Sequence, residues 1–361
     1  MTIEEFAKSY FKSENVTDFS RFPEEENSKI ADILQYFCKT EQSRFAETLY
    51  KDISSQSNHG KRVEALAYYW LYKHRVQFSP QYLIKKEQCY KKDDYYADGL
   101  IKRGEKNIAV FDVKNFGIGE CLYRQLGKKL TKYFNDTRSD YSNVEGEYYI
   151  TVGGSLNGDR HAFTKQFFGK LSIILDELFS KPCGEDYFCI YEGLEIRAHN
   201  LKTATMVKIS NWDAYLWAEN NYYYFMQHAS QFCKHLPYII ICPFDKSTDI
   251  PSRYKEKCIR QWITQQRLRP LCRRIFIDLP HKTMERLSTK DGKAIEDVTI
   301  AEASMSLSAI LFLDISCQSD TFGESWAFIN PNAHNPLTTH DINMLFKFNN
   351  SIIDDFQHDN Y

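Results

Sequence analysis

Long apolar segments are missing from this chain of 361 residues. The longest apolar runs, such as residues 236–244, are far shorter than the roughly 18 residues that a helix needs to cross a bilayer. The first residues carry acids at Glu4 and Glu5 and lack the basic stretch and apolar core of a secretory signal. We therefore expect a cytoplasmic protein with no membrane partner.

Glycine and proline are also scarce, with 15 and 10 residues, and the sequence shows no repeat and no low-complexity tract. This composition excludes collagen-like and broadly disordered classes. The ten cysteines form no Cys-x-x-Cys pair, so the sequence gives little support to a structural zinc site and favours buried thiols. No phosphate-binding loop ending in Lys-Ser or Lys-Thr is present, which argues against an ATP-driven motor.

The pattern of apolar positions divides the chain into three parts. We expect an N-terminal helical layer over residues 1–58, an α/β core over residues 59–160, and a C-terminal α/β region over residues 161–361. Further helices are predicted over residues 162–181, 211–235 and 339–356. Strand-like runs are predicted at residues 147–152, 188–199, 238–242, 274–279 and 309–315.

A hairpin between residues 93 and 114 carries most of the polar chemistry. The polar residues 104–107 separate two strand-like runs, as in a β-hairpin. Residues equally far from the turn face each other, which places Asp98 opposite Asp112 to within one residue of register. Since side chains alternate along a strand, Lys114 shares a face with Asp112. We expect Asp112 and Lys114 to project into a site rather than into the core.

Two carboxylates at this distance repel each other unless a cation lies between them. Oxygen ligands favour Mg²⁺ or Mn²⁺, and a neighbouring lysine can stabilise the charge that builds up on a phosphate under attack. The three residues therefore suit metal-dependent phosphodiester hydrolysis. The alternative is structural: Asp98 would belong to a turn, and Asp112 and Lys114 would form an ordinary ion pair.

Two neighbouring segments extend the pattern. Residues 60–71 predict a helix with an apolar stripe, and Glu64 borders that stripe, where it could reach a metal held by the sheet. Residues 124–133 predict a basic amphipathic helix that contains Gln125, Lys128 and Lys129. The order is a helix with a glutamate, a strand, a strand with Asp98, a strand with Asp-x-Lys, a helix and a strand.

This order, with Gly60-x-x-x-Glu64, Ala97-Asp98 and Asp112-Val113-Lys114, resembles the PD-(D/E)xK nuclease superfamily. The resemblance covers residues 60–152, under a third of the chain, and departs from the family at Ala97, where a proline is common. It implies a restriction-endonuclease-like mixed central sheet flanked by helices. It implies the following roles: metal ligation by Glu64, Asp98, Asp112 and the carbonyl of Val113, catalysis by Lys114, and positioning of the scissile strand by Gln125.

The resemblance thus implies an Mg²⁺- or Mn²⁺-dependent endonuclease that cleaves DNA in preference to RNA, in restriction, phage defence or DNA repair. A different class stays open: a non-catalytic nucleic-acid-binding or scaffolding subunit that keeps the nuclease fold. Divalent-metal binding separates the two, since a pure binding module has no need of three converging carboxylates. A homo-oligomer or a partner subunit of a defence system is also left open.

A second basic segment supports an anionic polymer as substrate, although the net charge of the whole chain is only −2. Residues 253–274 contain eight basic residues and one acid. With Lys128 and Lys129, its arginines are predicted to contact phosphates: Arg260, Arg267, Arg269, Arg273 and Arg274. The alternative is a solvated surface helix whose charges pair with acids elsewhere in the chain.

Overall fold

A computed structural model describes most of the predicted core. The described residues are 3–11, 19, 23–54, 59–116, 147–154, 173, 176–177, 186–191, 194–201, 208–210, 214–244, 267–288, 294–316, 325–348 and 353–357. None of the helices in these ranges combines the length and the apolar composition needed to cross a bilayer.

The N-terminal part is helical, as its apolar spacing predicts. The helices are α1 (Ile3–Phe11), α2 (Glu24–Lys39), α3 (Ser43–Ser54) and α4 (His59–Lys73). Helix α2 shows why: the apolar residues Ile30, Ile33, Leu34 and Phe37 recur at helical spacing, and all four are buried. Acidic residues fill its first turn, where they complement the helix dipole.

Four helices follow later in the described part of the chain, and the last three are shorter than any of the first four. They are α5 (Ala214–Met226), α6 (Leu268–Arg273), α7 (Ile300–Met305) and α8 (Thr339–Phe346). Residues Arg274–Asp278 continue α6 as a π-helical turn, so the strand predicted over residues 274–279 is wrong. The apolar residues of the predicted strand, Ile275, Phe276 and Leu279, are buried and lie at helical spacing. A short apolar run in a sequence fits a buried helical turn as well as a buried strand, which explains the wrong prediction. The closing helix, predicted over residues 339–356, is also shorter than predicted and ends at Phe346.

A mixed seven-stranded sheet forms the centre of the protein. In chain order its strands are β1 (Phe78–Ile84), β2 (Tyr95–Arg103), β3 (Lys106–Val113), β8 (Tyr238–Phe244), β11 (Ala309–Asp314), β12 (Trp326–Ile329) and β13 (Ile353–Asp354), and they pair in this same order. Strands β1, β2 and β3 are antiparallel, and β3, β8 and β11 are parallel. The predicted α/β class with a mixed central sheet is confirmed. The sheet crosses the boundary expected at residue 160.

The remaining described strands form two smaller sheets. Strands β4 (Glu147–Gly154), β5 (Asp186–Tyr191), β6 (Leu194–Leu201) and β7 (Lys208–Ser210) make a four-stranded sheet, and β9 (Arg286–Ser288) pairs with β10 (Ala294–Thr299). The strand predicted at residues 147–152 therefore exists. In the structure, however, β8 rather than β4 lies beside β3.

Alternation along the central strands buries the sheet on both faces. Ile101, Ala109 and Phe111 point toward a core built with α1, α2, α3, α4 and α8. Leu100 and Val110 point toward a second core built with α5, α6 and α7. The sheet is therefore the middle layer of three, and strand β8, at its centre, is buried along its whole length.

The β2–β3 hairpin contains a bulge close to its turn. Lys102 pairs with Asn107, whereas Ile101 pairs with Ala109, so Ile108 is an extra residue on β3. A one-residue change of register moves every later side chain of a strand to the opposite face relative to its partner strand. The bulge therefore decides which residues of β2 and β3 share a face beyond this point.

Beyond the bulge, the register brings the two aspartates together. Gly99 pairs with Phe111, and continuing this register by one residue places Asp98 opposite Asp112. Without the extra residue, Asp98 would face Phe111 and the two carboxylates would point to opposite sides of the sheet. The glycine is required here, because a Cβ atom at position 99 would lie 2.5 Å from the Phe111 ring and 2.7 Å from the carbonyl oxygen of Ser79.

Candidate active site

Asp98 and Asp112 are held by each other's strand. The backbone N–H of Asp98 donates to Oδ1 of Asp112 at 3.1 Å, and the backbone N–H of Val113 donates to Oδ2 of Asp98 at 2.7 Å. The predicted register is confirmed by these bonds. Both carboxylates are therefore fixed before any ligand arrives.

Asp112 is fully buried, and several neighbouring groups donate hydrogen bonds to its carboxylate. Its Oδ2 accepts a hydrogen bond from the phenol of Tyr95 at 2.8 Å and another from the ammonium of Lys114 at 3.0 Å. Burial raises the pKa of Asp112, but Lys114, the phenol of Tyr238 and the N–H of Asp98 outweigh it, so the pKa lies below its usual value. Asp112 is thus a buried carboxylate that stays charged. Its exposed fraction is 0%, so the surrounding residues enclose it completely, and its projection into a catalytic site stays a prediction.

Asp98 has the opposite character. Burial raises its pKa, and the neighbouring charges of Asp112 and Glu64 raise it further. Lys114 and the N–H of Val113 offset only part of this effect, so the pKa of Asp98 lies well above its usual value. Asp98 therefore keeps a proton to higher pH than Asp112.

Glu64 reaches this neighbourhood from helix α4 and is almost completely buried. Its Oε2 accepts an ion-paired hydrogen bond from Lys61 at 2.5 Å, one helical turn earlier. The phenolic oxygen of Tyr68 lies 2.9 Å from Oε1 of Glu64 and 2.7 Å from the carbonyl oxygen of Asp98. Tyr68 therefore links the helix to strand β2.

More than one carboxylate interacts electrostatically with Lys61. Burial lowers the pKa of Lys61, but Glu64, Asp98 and Asp52 raise it, and the net change is upward. Its side chain is 33% exposed, against 8% for that of Glu64. Lys61 therefore lies between the buried carboxylates and the solvent.

Lys114 is the second cation of the site and is more enclosed, with a side chain 13% exposed. Besides its bond to Asp112, its ammonium lies 3.5 Å from Oε1 of Gln231. Gln231 belongs to a short 3₁₀ helix just before β8. Lys114 therefore bridges the hairpin and the segment that leads into the parallel strand.

The donor set fits a hard divalent cation in its chemistry, since all the candidate ligands are oxygens: Glu64, Asp98, Asp112 and the carbonyl of Val113. None of the hydrogen bonds among the described residues uses Oδ1 of Asp98. The same residues contain no group of three or more His, Cys, Asp or Glu side chains gathered closely enough to hold a metal. Lys61 holds Oε2 of Glu64, and Lys114 holds Oδ2 of Asp112, so both lysines lie where a metal would compete.

The predicted contacts to nucleic acid are only partly described. Gln125, Lys128, Lys129 and Arg260 lie outside the described residues. Within the described part, Arg267 is mostly buried, and its role stays a prediction.

Three arginines of the basic segment are paired inside the chain. Arg269 binds Asp354 at 2.7 Å, and Arg273 binds Asp278 at 2.7 Å. Two acids hold Arg274: Glu219 at 2.6 Å and Asp278 at 3.6 Å. For Arg269, Arg273 and Arg274 the structure supports the alternative in which acids elsewhere in the chain neutralise them.

Five residues of the site were not predicted as such. They are Lys61, Tyr68, Tyr95, Gln231 and Tyr238. Lys61 and Tyr68 stand three residues before and four after Glu64, so helical spacing alone could have indicated them. Gln231 and Tyr238 are more than a hundred residues from the hairpin in the sequence, and no local pattern connects them to it.

Comparisons of this chain with protein-family models, curated proteins and solved structures find no match. The geometry of the hairpin and its neighbours is therefore the basis for assigning a function.

Proposed function

We propose that this protein is a metal-dependent nuclease that hydrolyses phosphodiester bonds of DNA, with its active site at the β2–β3 hairpin. The metal would be held by Asp98, Asp112, Glu64 and the carbonyl of Val113. Mg²⁺ and Mn²⁺ are the ions that suit these ligands.

The observation that carries the proposal is the pairing of two aspartates with opposite pKa shifts beside an enclosed lysine. A structural ion pair between Asp112 and Lys114 needs no second carboxylate. Because the pKa of Asp98 is raised, Asp98 lowers the stability of the folded state at any pH at which its carboxylate is charged. Groups that lower stability in this way are concentrated at functional sites. A divalent cation beside Asp98 would relieve the repulsion.

The topology supports the same conclusion. The order α4, β1, β2, β3 follows the first four elements that suggested the PD-(D/E)xK resemblance. The helix predicted over residues 124–133 lies outside the described residues, and the strand predicted at residues 147–152 pairs in a different sheet from β3. Strand β8 runs parallel to the Asp-x-Lys strand, and α4 brings Glu64 to the neighbourhood of Asp98. We infer a restriction-endonuclease-like core on this ground.

The mechanism assigns a task to each side chain. The metal, when bound, would polarise the scissile phosphate and activate the attacking water. Asp112 stays charged at neutral pH and anchors the ammonium of Lys114. That ammonium can donate a further hydrogen bond to a phosphoryl oxygen as negative charge builds up there. Tyr95 donates to Asp112 and keeps its carboxylate in one orientation.

The decisive experiment is a cleavage assay with plasmid DNA, single-stranded DNA and RNA in Mg²⁺, Mn²⁺ or EDTA. We expect cleavage of DNA in Mg²⁺ or Mn²⁺ and none in EDTA. Lys114→Ala should lower the single-turnover rate by about 100-fold or more, the usual effect of removing one charge-stabilising donor. Lys85→Ala is the matched control, because Lys85 forms an exposed ion pair with Asp94 and should leave the rate unchanged.

The outcome of this assay also separates the rival class. A chain that binds DNA but shows neither divalent-metal binding nor cleavage would be a non-catalytic nucleic-acid-binding subunit. Cleavage at the parental rate by Lys114→Ala would contradict the assignment of the site, even if the preparation were a nuclease.

A further inference from the structure

Lys114 lies just past the end of strand β3, whose last residue is Val113. The pairing of β3 with β2 has already ended at this point. On the side of β8, the N–H of Lys114 donates to the carbonyl of Ile241 at 2.8 Å, and the carbonyl of Lys114 accepts from the N–H of Phe116 at 2.9 Å. Strand pairing therefore holds only one edge of this backbone, and other contacts must fix the lysine.

Helix α5 supplies one of these contacts. The phenol of Tyr224 donates a hydrogen bond of 2.7 Å to the carbonyl oxygen of Asn115, the residue that follows Lys114. The ring of Tyr224 also packs against that of Phe116, with 5.2 Å between the ring centroids. Burial raises the pKa of Tyr224, so the phenol keeps its proton and stays a donor throughout the neutral pH range.

The same stretch of chain reaches the side chain of the lysine. Gln231 follows Tyr224 in the segment between α5 and β8, and its Oε1 lies 3.5 Å from the ammonium of Lys114. The closer partner of that ammonium is Asp112, at 3.0 Å. Tyr224 thus acts on the backbone beside the lysine, while Gln231 and Asp112 act on its ammonium.

The neighbours of Tyr224 on α5 have other contacts. The guanidinium of Arg274 lies over the ring of Tyr222, 5.6 Å from its centroid, and Phe225 is fully buried. The phenol of Tyr222 makes no hydrogen bond within the described part of the chain. Tyr222 therefore carries the same hydroxyl on the same helix without a bond to the hairpin.

We propose that Tyr224 is a positioning residue, which fixes the backbone of Lys114 through the carbonyl of Asn115 and so keeps the lysine ammonium in place beside Asp112. This inference rests on the proposed function, in which that ammonium stabilises developing negative charge. A lysine side chain has a flexible four-carbon stem, so its backbone decides which positions the ammonium can reach. A donor stabilises a transition state best when it is already in place as the charge develops.

The first test does not depend on activity. Tyr224→Phe deletes the hydroxyl and keeps the ring. We expect the backbone N–H groups of Lys114 and Phe116 to exchange with solvent about 5-fold faster than in the parent, as the loss of one hydrogen bond allows. Hydrogen exchange of the full chain in EDTA, followed by mass spectrometry, measures this change. Tyr222→Phe is the matched control and should leave exchange in this segment unchanged.

The second test is the single-turnover rate of DNA cleavage in Mg²⁺ at saturating enzyme. Tyr224→Phe should cleave about 5-fold more slowly than the parent with unchanged affinity for DNA, and Tyr222→Phe should cleave at the parental rate. In a Lys114→Ala background, Tyr224→Phe should have no further effect, because the group that Tyr224 positions is already absent. A merely structural role would lower the amplitude of the reaction or slow both backgrounds alike.

The outcomes separate this inference from the proposed function. A parent that cleaves no nucleic acid in any divalent metal contradicts the proposed function, and the catalytic part of this inference fails with it. If the parent cleaves and Tyr224→Phe cleaves at the same rate, the inference alone is overturned. Unchanged exchange at Lys114 and Phe116, or equal slowing with and without Lys114, would also overturn it. Thermal unfolding in EDTA checks that each variant is folded.

Discussion

Asp98 and Asp112 exchange hydrogen bonds across the hairpin: the N–H of Asp98 donates to the carboxylate of Asp112, and the N–H that follows Asp112 donates to the carboxylate of Asp98. Neither side chain can rotate without breaking a bond to the opposite strand. The pair is therefore part of the hairpin itself, and changes to either residue should be measurable in stability as well as in activity.

Asp98→Asn should change how stability depends on pH. The pKa of Asp98 is raised in the folded protein, so its contribution to the free energy of unfolding is complete below the unfolded pKa of about 4 and is lost as the pH rises through the folded pKa. An asparagine does not titrate. In EDTA, the variant should gain stability relative to the parent as the pH rises, by about 1.4 kcal/mol for each unit between the two pKa values.

Urea unfolding of both proteins from pH 5 to pH 9 measures this difference. A constant difference over that range would show that Asp98 is not perturbed. Added Mg²⁺ or Mn²⁺ should stabilise the parent much more than Asp98→Asn, because the amide has lost the charge that attracts the metal.

Asp112→Ala should lower stability at neutral pH. The pKa of Asp112 is depressed by Lys114 and the neighbouring donors, so its contribution is present above the unfolded pKa and is lost as the pH falls through the folded pKa. Removing the carboxylate takes away the acceptor of the Tyr95 phenol and the nearer of the two acceptors of the Lys114 ammonium. We expect a loss of about 3–5 kcal/mol, as is typical when one partner of a buried ion pair is removed.

Equilibrium unfolding at pH 7 checks the loss, and Asp94→Ala is its control. Asp94 forms an exposed ion pair with Lys85, so its removal should leave the unfolding midpoint close to that of the parent. An equally small change in Asp112→Ala would mean that water replaces the lost carboxylate.

Gly99→Ala should be destabilising because of a close approach rather than an unusual backbone angle. The added methyl group would meet both the Phe111 ring and the carbonyl of Ser79. We expect a loss of about 1–3 kcal/mol or more, typical of overpacking. Gly104→Ala is a matched comparison: Gly104 has a φ of 60°, but no atom of the described residues lies within 4 Å of the added group. Only backbone strain of about 1 kcal/mol is therefore expected. Thermal unfolding of both variants gives the comparison, and a smaller loss at position 99 would contradict the packing argument.

Arg269→Ala and Arg274→Ala should leave binding to nonspecific DNA unchanged, because acids of the same chain already neutralise these arginines. Fluorescence anisotropy across a salt series measures how many phosphates the protein neutralises. A salt slope shallower by roughly 0.9 in either variant would instead favour a phosphate-contacting surface in this segment.

Local sequence patterns predicted the hairpin and the pairing of its aspartates, because alternation and turn residues act over short distances. The bulge at Ile108 has no such signal, although it decides the face on which Asp98 lies. The neighbours of the site that come from β8 and the preceding segment, Tyr238 and Gln231, depend on which distant strand joins β3. That choice is made by packing of the whole sheet and could not be predicted from the hairpin.

The parallel pairing of β3 with β8 has a consequence for the order of folding. Ile240 and Ile241, the partners of Asp112 and Val113, are over a hundred residues later in the chain. Until they are synthesised, the edge of β3 that pairs with β8 is unpaired. Contacts between such distant segments form slowly. The nascent chain therefore passes through a stage in which the hairpin exists without its parallel neighbour, and that stage is exposed to edge-to-edge aggregation.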